Sequence, residues 1–406
     1  MSDVPAYWDD LFTDDAIRRP YERYRDLREQ GPVMWLEAHQ MYVLPRYAEA
    51  RAALADPGLF CSGRGVGMND FVNAAGAGTT LMSDGDVHDS QRAVLAHGLT
   101  PRALRSIRDT VQSAADNLVD AVVERGTFDA VSDLARALPL TIVPDLVGWP
   151  RHGRGNLLDW AAATFDALGP MNARAEHARA RVGEMLTFAS TTVATRDVLA
   201  GSAAAFMLDA VDQAKLTQQQ AASLIIDYLC PSLDTTISAI GSAVWHFGNH
   251  PQQWDLLRDK PELLSNAFNE VVRLESPIRG FTRALTTATN IGGHELPAGA
   301  RVLVLFASAN RDERRWDNAD QFDITRNANG QIGFGYGIHG CAGQALARME
   351  GQAVLRALMG RVEQFHVGPP HWLLNNTIRG LASLTVTVKA ASAGANGAAG
   401  QPGEQP

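Results

Sequence analysis

The stretch from Thr217 to Pro251 limits what this chain can fold into more than any other. Thr217 and Gln220 have the spacing of a capping box, in which each side chain meets the other residue's backbone N–H. Apolar-rich helical sequence then continues to Asn249–Pro251. That is about 34 residues, or about 50 Å at a rise of about 1.5 Å per residue. A rod of that length crosses a whole domain, so other segments must pack around it. Its interior holds "CPSLDTT", Cys230 to Thr236. A proline there removes one backbone donor and frees the carbonyl of Asp227, which predicts a bend at Pro231. Asp234 and Thr235 follow as polar residues in an apolar setting.

The other segments are mostly helical. "PYERYRDLREQG" reads as a short helix, "VMWLEAHQMYVLP" as a hairpin and "YAEARAALADP" as another helix. Ser62 to Thr80 is glycine-rich and reads as a long loop, a kind that is usually functional in compact domains. Residues from about Pro101 to Ala200 are alanine-rich and helical. A helix is expected over about Pro261 to Glu275, with Glu270 and Arg273 on one face. "ATNIGGHELPAGARVLVLFAS" reads as a hairpin with a strong strand, and "AGQALARMEGQAVLRALMGRV" as an amphipathic helix. With 406 residues, 46% of them hydrophobic, the chain can bury a large core. No linker divides it before its end. The expectation is one mainly α domain over residues 1–389 and a small, polar, disordered tail over 390–406.

Several function classes are set aside. No run of about 18 apolar residues suggests a membrane span. The acidic opening "MSDVPAYWDDLFTDD" lacks the layout of a secretory leader. Three cysteines, Cys61, Cys230 and Cys341, make a disulfide scaffold improbable and suit a reducing cytoplasm. A net charge of −9 argues against nucleic acid as a partner. Neither a phosphate-cradling G-x-x-x-x-G-K-[ST] loop nor a dinucleotide G-x-G-x-x-G is evident, so redox chemistry here needs electrons from another protein.

"FGYGIHGCAG", Phe334 to Gly343, surrounds one cysteine with four glycines. A thiolate is a strong, soft ligand for iron. Glycines at 335, 337, 340 and 343 would let a flat macrocycle lie against the loop. The helix that follows, beginning near Ala342, puts its positive end close to the sulfur. A plain buried cysteine is the common reading of a lone one. A zinc site lacks partners at ligand spacing around His339 and Cys341. The ten-residue pattern is far more specific than either.

That pattern resembles the haem-cysteine signature of bacterial, soluble cytochrome P450s, and the likeness runs from about Leu11 to Lys389. "EVVR", Glu270 to Arg273, resembles the family's E-x-x-R, and "LDTT", Leu233 to Thr236, the oxygen-binding part of its long central helix. "HDSQR", His88 to Arg92, resembles its propionate-holding H-x-x-x-R, and "FDITR", Phe322 to Arg326, the segment whose arginine joins the E-x-x-R pair. The resemblance implies a helical prism with a small β-rich region on one side, a haem b cofactor and monooxygenation with O2. Cys341 would be the axial iron ligand. His88, Arg92, Arg283 and His339 would neutralise the propionates. Glu270, Arg273 and Arg326 would form a structural ion-pair network behind the cysteine loop. Electrons would come from an iron–sulfur ferredoxin and its NAD(P)H-dependent reductase, docking near Arg102, Arg105 and Arg348.

Oxygen cleavage consumes two protons. Thr235 could hold an oxygen and Asp234 could pass protons from solvent; the plainer alternative is a threonine bonded back to its own helix and a solvated aspartate. The chain departs from the family just before the acid, where Pro231 and Ser232 replace a small residue and a glycine. Pro231 is expected to open the helix instead, and Ser232 to bind a water there.

"CSGRGVGMNDF", "SANRDERRW" and "LNNTIRGL" resemble P450s that oxidise para-substituted aromatics, including benzoates. This implies O-demethylation or hydroxylation in a pocket of Met68, Leu81, Phe165, Ile278 and Phe281. "FVNAAGAGTT" offers no cation for a carboxylate. Asp227 lies two helical turns before Asp234 on the same face and would repel one. A neutral alkyl- or methoxyphenol is therefore favoured over a benzoate. A terpenoid, fatty-acid or antibiotic-type substrate, or a haem-based sensor, are the alternatives.

Overall fold

The computed structural model describes residues 4–391. The central helix forms over Gln218–Asn249, with both halves of the capping box. Thr217 N–H donates to Gln220 Oε1 at 2.9 Å, and Gln220 N–H to Thr217 Oγ1 at 3.2 Å. Thr236 to Val244 are buried without a break, so this part of the helix has no solvent face. Helices Ala137–Val147, Leu157–Ala167, Ala173–Thr195, Ala203–Asp212, Leu264–Glu275 and Gln344–Met359 all pack on it. It runs on through Pro231 rather than ending there. The hydroxyls of Ser232 and Thr235 donate to the carbonyls of Tyr228 and Pro231, both at 2.6 Å. Ser232 therefore spends its donor on its own helix and keeps its lone pairs free to accept.

The β-rich part stands to one side. Its largest sheet runs Ala6–Tyr7, Met34–Leu36, Met41–Leu44, Arg301–Val304, Phe281–Leu285, Phe60–Cys61. The expected hairpin is its second and third strands, with Met34 opposite Val43. The strong strand is shorter than its apolar run, since Phe306–Ala309 already turns helical. The alanine-rich middle is also interrupted. Thr127–Asp129 is a strand, paired with Thr385–Ala390 from the far end of the chain. That last strand enters the expected tail by one residue; the tail beyond residue 391 lies outside the described residues.

Ser62 to Thr80 is not a plain loop. Asn69 Oδ1 accepts the Val72 N–H at 2.9 Å and caps a helix over Asp70–Ala75. Three polar ties fix the segment to its surroundings. Asn69 Nδ2 donates to the carbonyls of Ala167 and Gly169 at 2.8 and 2.7 Å. Gln91 Nε2 donates to the Gly78 carbonyl at 2.8 Å, and the Thr80 N–H to Asp227 Oδ2 at 2.9 Å. No helix of the described residues is long and apolar enough to cross a membrane.

Candidate active site

The cysteine loop is shaped by its own backbone. Cys341 N–H donates to the Phe334 carbonyl at 2.8 Å and closes it. Gly335 and Gly337 have φ of 70° and 71°, a region that favours glycine. A Cβ on Gly337 would stand 2.3 Å from the Leu54 carbonyl oxygen. Gly337 thus serves packing against Leu54, whereas Gly335 and Gly343 border the cavity described next. Burial pushes the Cys341 thiol up, while the N–H groups of Gly343 and Gln344 and the charges of Arg92 and Arg348 act the other way. The helix beginning at Gln344 aims its free N–H groups at the sulfur, as expected of a helix N-terminus.

Between this loop and the central helix lies a cavity with an empty volume of about 1620 Å³, its mouth included. Leu95, Leu99, Phe268, Val272, Phe334 and Leu346 give it apolar walls, and Cys341 borders it. Arg92, Arg283 and His339 border it as well. Arg283 is buried, and its one hydrogen bond goes to the Thr282 carbonyl at 2.8 Å. No carboxylate hydrogen-bonds it, and burial pulls it down to about 10 against the charge of Asp84. Arg92 donates only to the Gly340 carbonyl. His339 Nε2 stands 3.5 Å from Asp84 Oδ1, too far for a good hydrogen bond, and burial holds the ring down at about 4. His88 does not border the cavity. Its ring lies tilted against that of His339, with centroids 4.4 Å apart, and its Nε2 is buried without a partner. Buried cations without anions are costly. Two unpaired arginines at the edge of a wide apolar slot, with a thiol at its base, fit haem and its two carboxylates.

Glu270, Arg273 and Arg326 do meet. Arg273 grips Glu270 with two bonds of 2.7 and 2.8 Å, and Arg326 Nε reaches the same carboxylate at 3.1 Å. Arg273 also donates to the carbonyls of Asn310 and Ala319 at 2.7 and 2.8 Å. Asn310 Oδ1 in turn accepts the Ile332 N–H at 2.8 Å, which ties this cluster to the start of the cysteine loop.

On the central helix the two candidate proton carriers part. Thr235 borders the cavity, but Asp234 does not. Neighbours on a helix point about 100° apart. Asp234 faces Asp166 and Arg136; its Oδ2 is buried without a partner, and burial pushes the acid up to about 7. Asp227 does border the cavity, despite its shared face with Asp234. What lies opposite changes along the helix: segment 79–82 beside Asp227, other helices beside Asp234. Burial pushes Asp227 up to about 6, against the Thr80 hydrogen bond.

Leu81, Phe165, Ile278 and Phe281 line the cavity as expected. Met68 does not. It lies beside Phe12, Tyr24 and Leu303 in a separate small pocket, because the bonds of Asn69 carry that part of the segment away.

Three polar residues were not anticipated. Asp84 accepts the N–H groups of Ser62 and Gly63 at 3.2 and 2.6 Å and the Cys61 thiol at 2.9 Å. Glu350 and Tyr228 both border the cavity, and neither has a side-chain hydrogen-bond partner among the described residues. Glu350 had a legible signal: it falls four residues after Leu346 and four before Val354, on the buried stripe of its helix.

Comparison with known proteins agrees with this geometry. The family model described as Cytochrome P450 matches residues 253–371. Cytochrome p450 CYP199A2 of Rhodopseudomonas palustris is 39% identical over 94% of each chain. The crystal structure of CalO2 superposes with a TM-score of 0.82 at 29% identity, over 95% of this chain and 99% of that one. Cytochrome P450 CREJ, in complex with (4-ethylphenyl) dihydrogen phosphate, gives a TM-score of 0.84 at 25% identity, over 92% and 98%. With a thiol at the base of an apolar slot and a relative this similar over nearly its whole length, the chain belongs to the cytochrome P450 family of haem b monooxygenases.

Proposed function

We propose that this P450 O-demethylates or hydroxylates a small, neutral, para-substituted aromatic of the alkyl- or methoxyphenol kind. One observation carries the reading. Asp227 borders the cavity, and the two arginines that border it, Arg92 and Arg283, with the neutral His339, form the set suited to haem carboxylates. A substrate carboxylate would find repulsion at Asp227, and the unpaired Arg92 and Arg283 would already be taken up by the haem carboxylates. A phenol could donate to Asp227 instead.

When bound at Cys341, haem supplies the O2 activation that puts one oxygen atom into the substrate and releases the other as water. Arg92, Arg283 and His339, backed by His88, hold its carboxylates. Leu81, Phe165, Ile278 and Phe281 exclude water and orient the ring. Thr235 Oγ1 donates to the Pro231 carbonyl, which leaves its lone pairs free to accept a proton-bearing group at the cavity wall. Asp234 Oδ2, pushed up towards neutrality, holds a proton one residue away. Glu270, Arg273 and Arg326 keep the cysteine loop in place. The whole site lies within one domain over residues 1–389.

Electrons arrive from an iron–sulfur ferredoxin served by an NAD(P)H-dependent reductase. Exposed Arg102 and Arg105, and Arg348 stacked over Phe334 at 4.5 Å, support an acidic partner near the cysteine loop. Raising salt should slow reduction by ferredoxin if these arginines carry the contact.

The test is a haem absorption titration of the ferric protein with a 4-alkyl-2-methoxyphenol and with 4-methoxybenzoate. A shift to high spin with the phenol alone supports the neutral reading. A shift with the benzoate alone overturns it in favour of an anionic aromatic, which the CREJ complex with an aryl phosphate makes the second reading. No shift with either removes the aromatic assignment.

A further inference from the structure

Gln91 takes part in none of the steps above, although it is polar and 0% exposed. It lies on helix Gly85–Ala96, between His88 and Arg92, and does not border the cavity. Both ends of its amide reach the same short turn. Nε2 donates to the Gly78 carbonyl at 2.8 Å, and Oε1 accepts the Thr80 hydroxyl at 3.3 Å. The Gly78 bond fixes which end is which, since a reversed amide would set two oxygens against each other. Gly78 has a φ of 79°, and its N–H donates to the Met82 carbonyl at 3.3 Å, which closes the turn on itself. The ties of Asn69 hold the other end of the segment and do not reach this turn.

The turn ends on the substrate anchor. The Thr80 N–H donates to Asp227 Oδ2 at 2.9 Å, and Oδ1 accepts no hydrogen bond among the described residues. Burial pushes this acid up, and the groups set against that rise belong to Thr80; no charged side chain acts on it from the helices packed on this stretch. The Thr80 hydroxyl has a single proton, which Gln91 takes, so the N–H is what holds the carboxylate. The direction of that N–H follows from the peptide plane between Thr79 and Thr80. Gln91 holds that plane from both sides, at Gly78 and at Thr80.

We propose that Gln91 is a positioning residue for substrate choice: by holding Gly78 and Thr80 it keeps the Thr80 N–H on Asp227 Oδ2 and leaves Oδ1 to accept the hydroxyl of the bound ring. Gln91 touches neither substrate nor haem and acts through Asp227. Without its amide the turn loses both outer bonds, the N–H leaves the carboxylate, and the acid takes up a proton more easily. A protonated Asp227 is the weaker acceptor for a phenol. This role rests on the phenol reading of Asp227, but the first arm of its test does not.

That arm is infrared spectroscopy of the haem-loaded protein, titrated with acid in the absence of substrate. The carboxylic-acid carbonyl band that D227N lacks should grow in as pH falls through about 6 in the native protein, and at higher pH in Q91M. An unmoved midpoint overturns the tie. The second arm is a haem absorption titration with a 4-alkyl-2-methoxyphenol. Q91M should bind it roughly fivefold more weakly at neutral pH, as the loss of one hydrogen bond allows. The acid limb of binding should move up together with the infrared midpoint. In a D227N background Q91M should change binding by less than about twofold. Equal losses in both backgrounds, or unchanged binding in Q91M, overturn the positioning role. T80V removes only the hydroxyl; it should move the midpoint the same way by less, and it carries the test if Q91M fails to load haem. A native protein that ignores the phenol sinks the phenol reading, and the infrared arm still decides the tie.

Discussion

Glu270 and Glu350 are the same residue type at the same burial, 0% exposed, in opposite surroundings. Glu270 receives two bonds from Arg273 and one from Arg326, and the Asp323 N–H reaches it at 3.3 Å. Glu350 receives none. The first is a charge built into the frame; the second is an acid that burial keeps protonated. The difference follows what each supports. Behind the cysteine loop a rigid ion cluster fixes backbone carbonyls in place. On the cavity wall, with no cation facing it, an ionised carboxylate would be costly, and burial favours the neutral acid.

The contrast can be attacked experimentally. E270A should have the largest effect, because it leaves Arg273 buried with its charge unpaired. A loss of about 3–5 kcal/mol is expected, a large part of the usual total of about 5–15 kcal/mol. Little haem-loaded protein should be recovered, and its thermal midpoint should drop. If E270A loads haem normally, the frame role of the cluster is wrong.

E350Q should act on pH dependence instead. An acid raised on folding from 4.5 to about 8 keeps a proton that the unfolded chain has lost. Stability then falls as pH climbs across that interval, and Asp234, raised from 3.8 to about 7, adds a slope of the same sign. Denaturant titrations at both ends of the interval should show E350Q losing on the order of 2 kcal/mol less than the native protein. Equal slopes would mean that Glu350 is ionised in the fold after all.

Asp227 lies between the two extremes, with one oxygen held by Thr80. D227N keeps an acceptor there and removes the charge. Benzoate should bind about tenfold tighter, equivalent to about 1.4 kcal/mol, and phenol more weakly. The haem absorption titration reads both. M68A should leave those titrations unchanged within about twofold, or about 0.4 kcal/mol, since Met68 lies outside the cavity. A large shift would mean that the small pocket beside Phe12 joins the ligand site.

Much of this was legible in local sequence. The capping box, the hairpin and the E-x-x-R pair are short-range patterns, and the residues involved end up in contact. What escaped was set by distant partners. Met68 was assigned to the cavity from the resemblance of its stretch to aromatic-oxidising P450s, but Asn69 beside it binds carbonyls about a hundred positions away. Asp234 and Asp227 share a helical face, but the neighbours across from them differ. Glu350 was not singled out on its amphipathic helix, although its spacing from Leu346 and Val354 places it inward.

The strand Thr127–Asp129 has a consequence for how the chain is made. Its partner, Thr385–Ala390, lies near the opposite end, and the Thr127 and Thr387 hydroxyls meet at 3.0 Å across 260 positions. At roughly 5–20 residues per second of synthesis, the first strand waits roughly 13–52 s before its neighbour exists. Its backbone edge stays open through that interval, during which the cysteine loop also emerges. The last strand therefore acts as a clasp, and a ribosome that stalls shortly before it leaves the alanine-rich helices without the sheet that closes over their end.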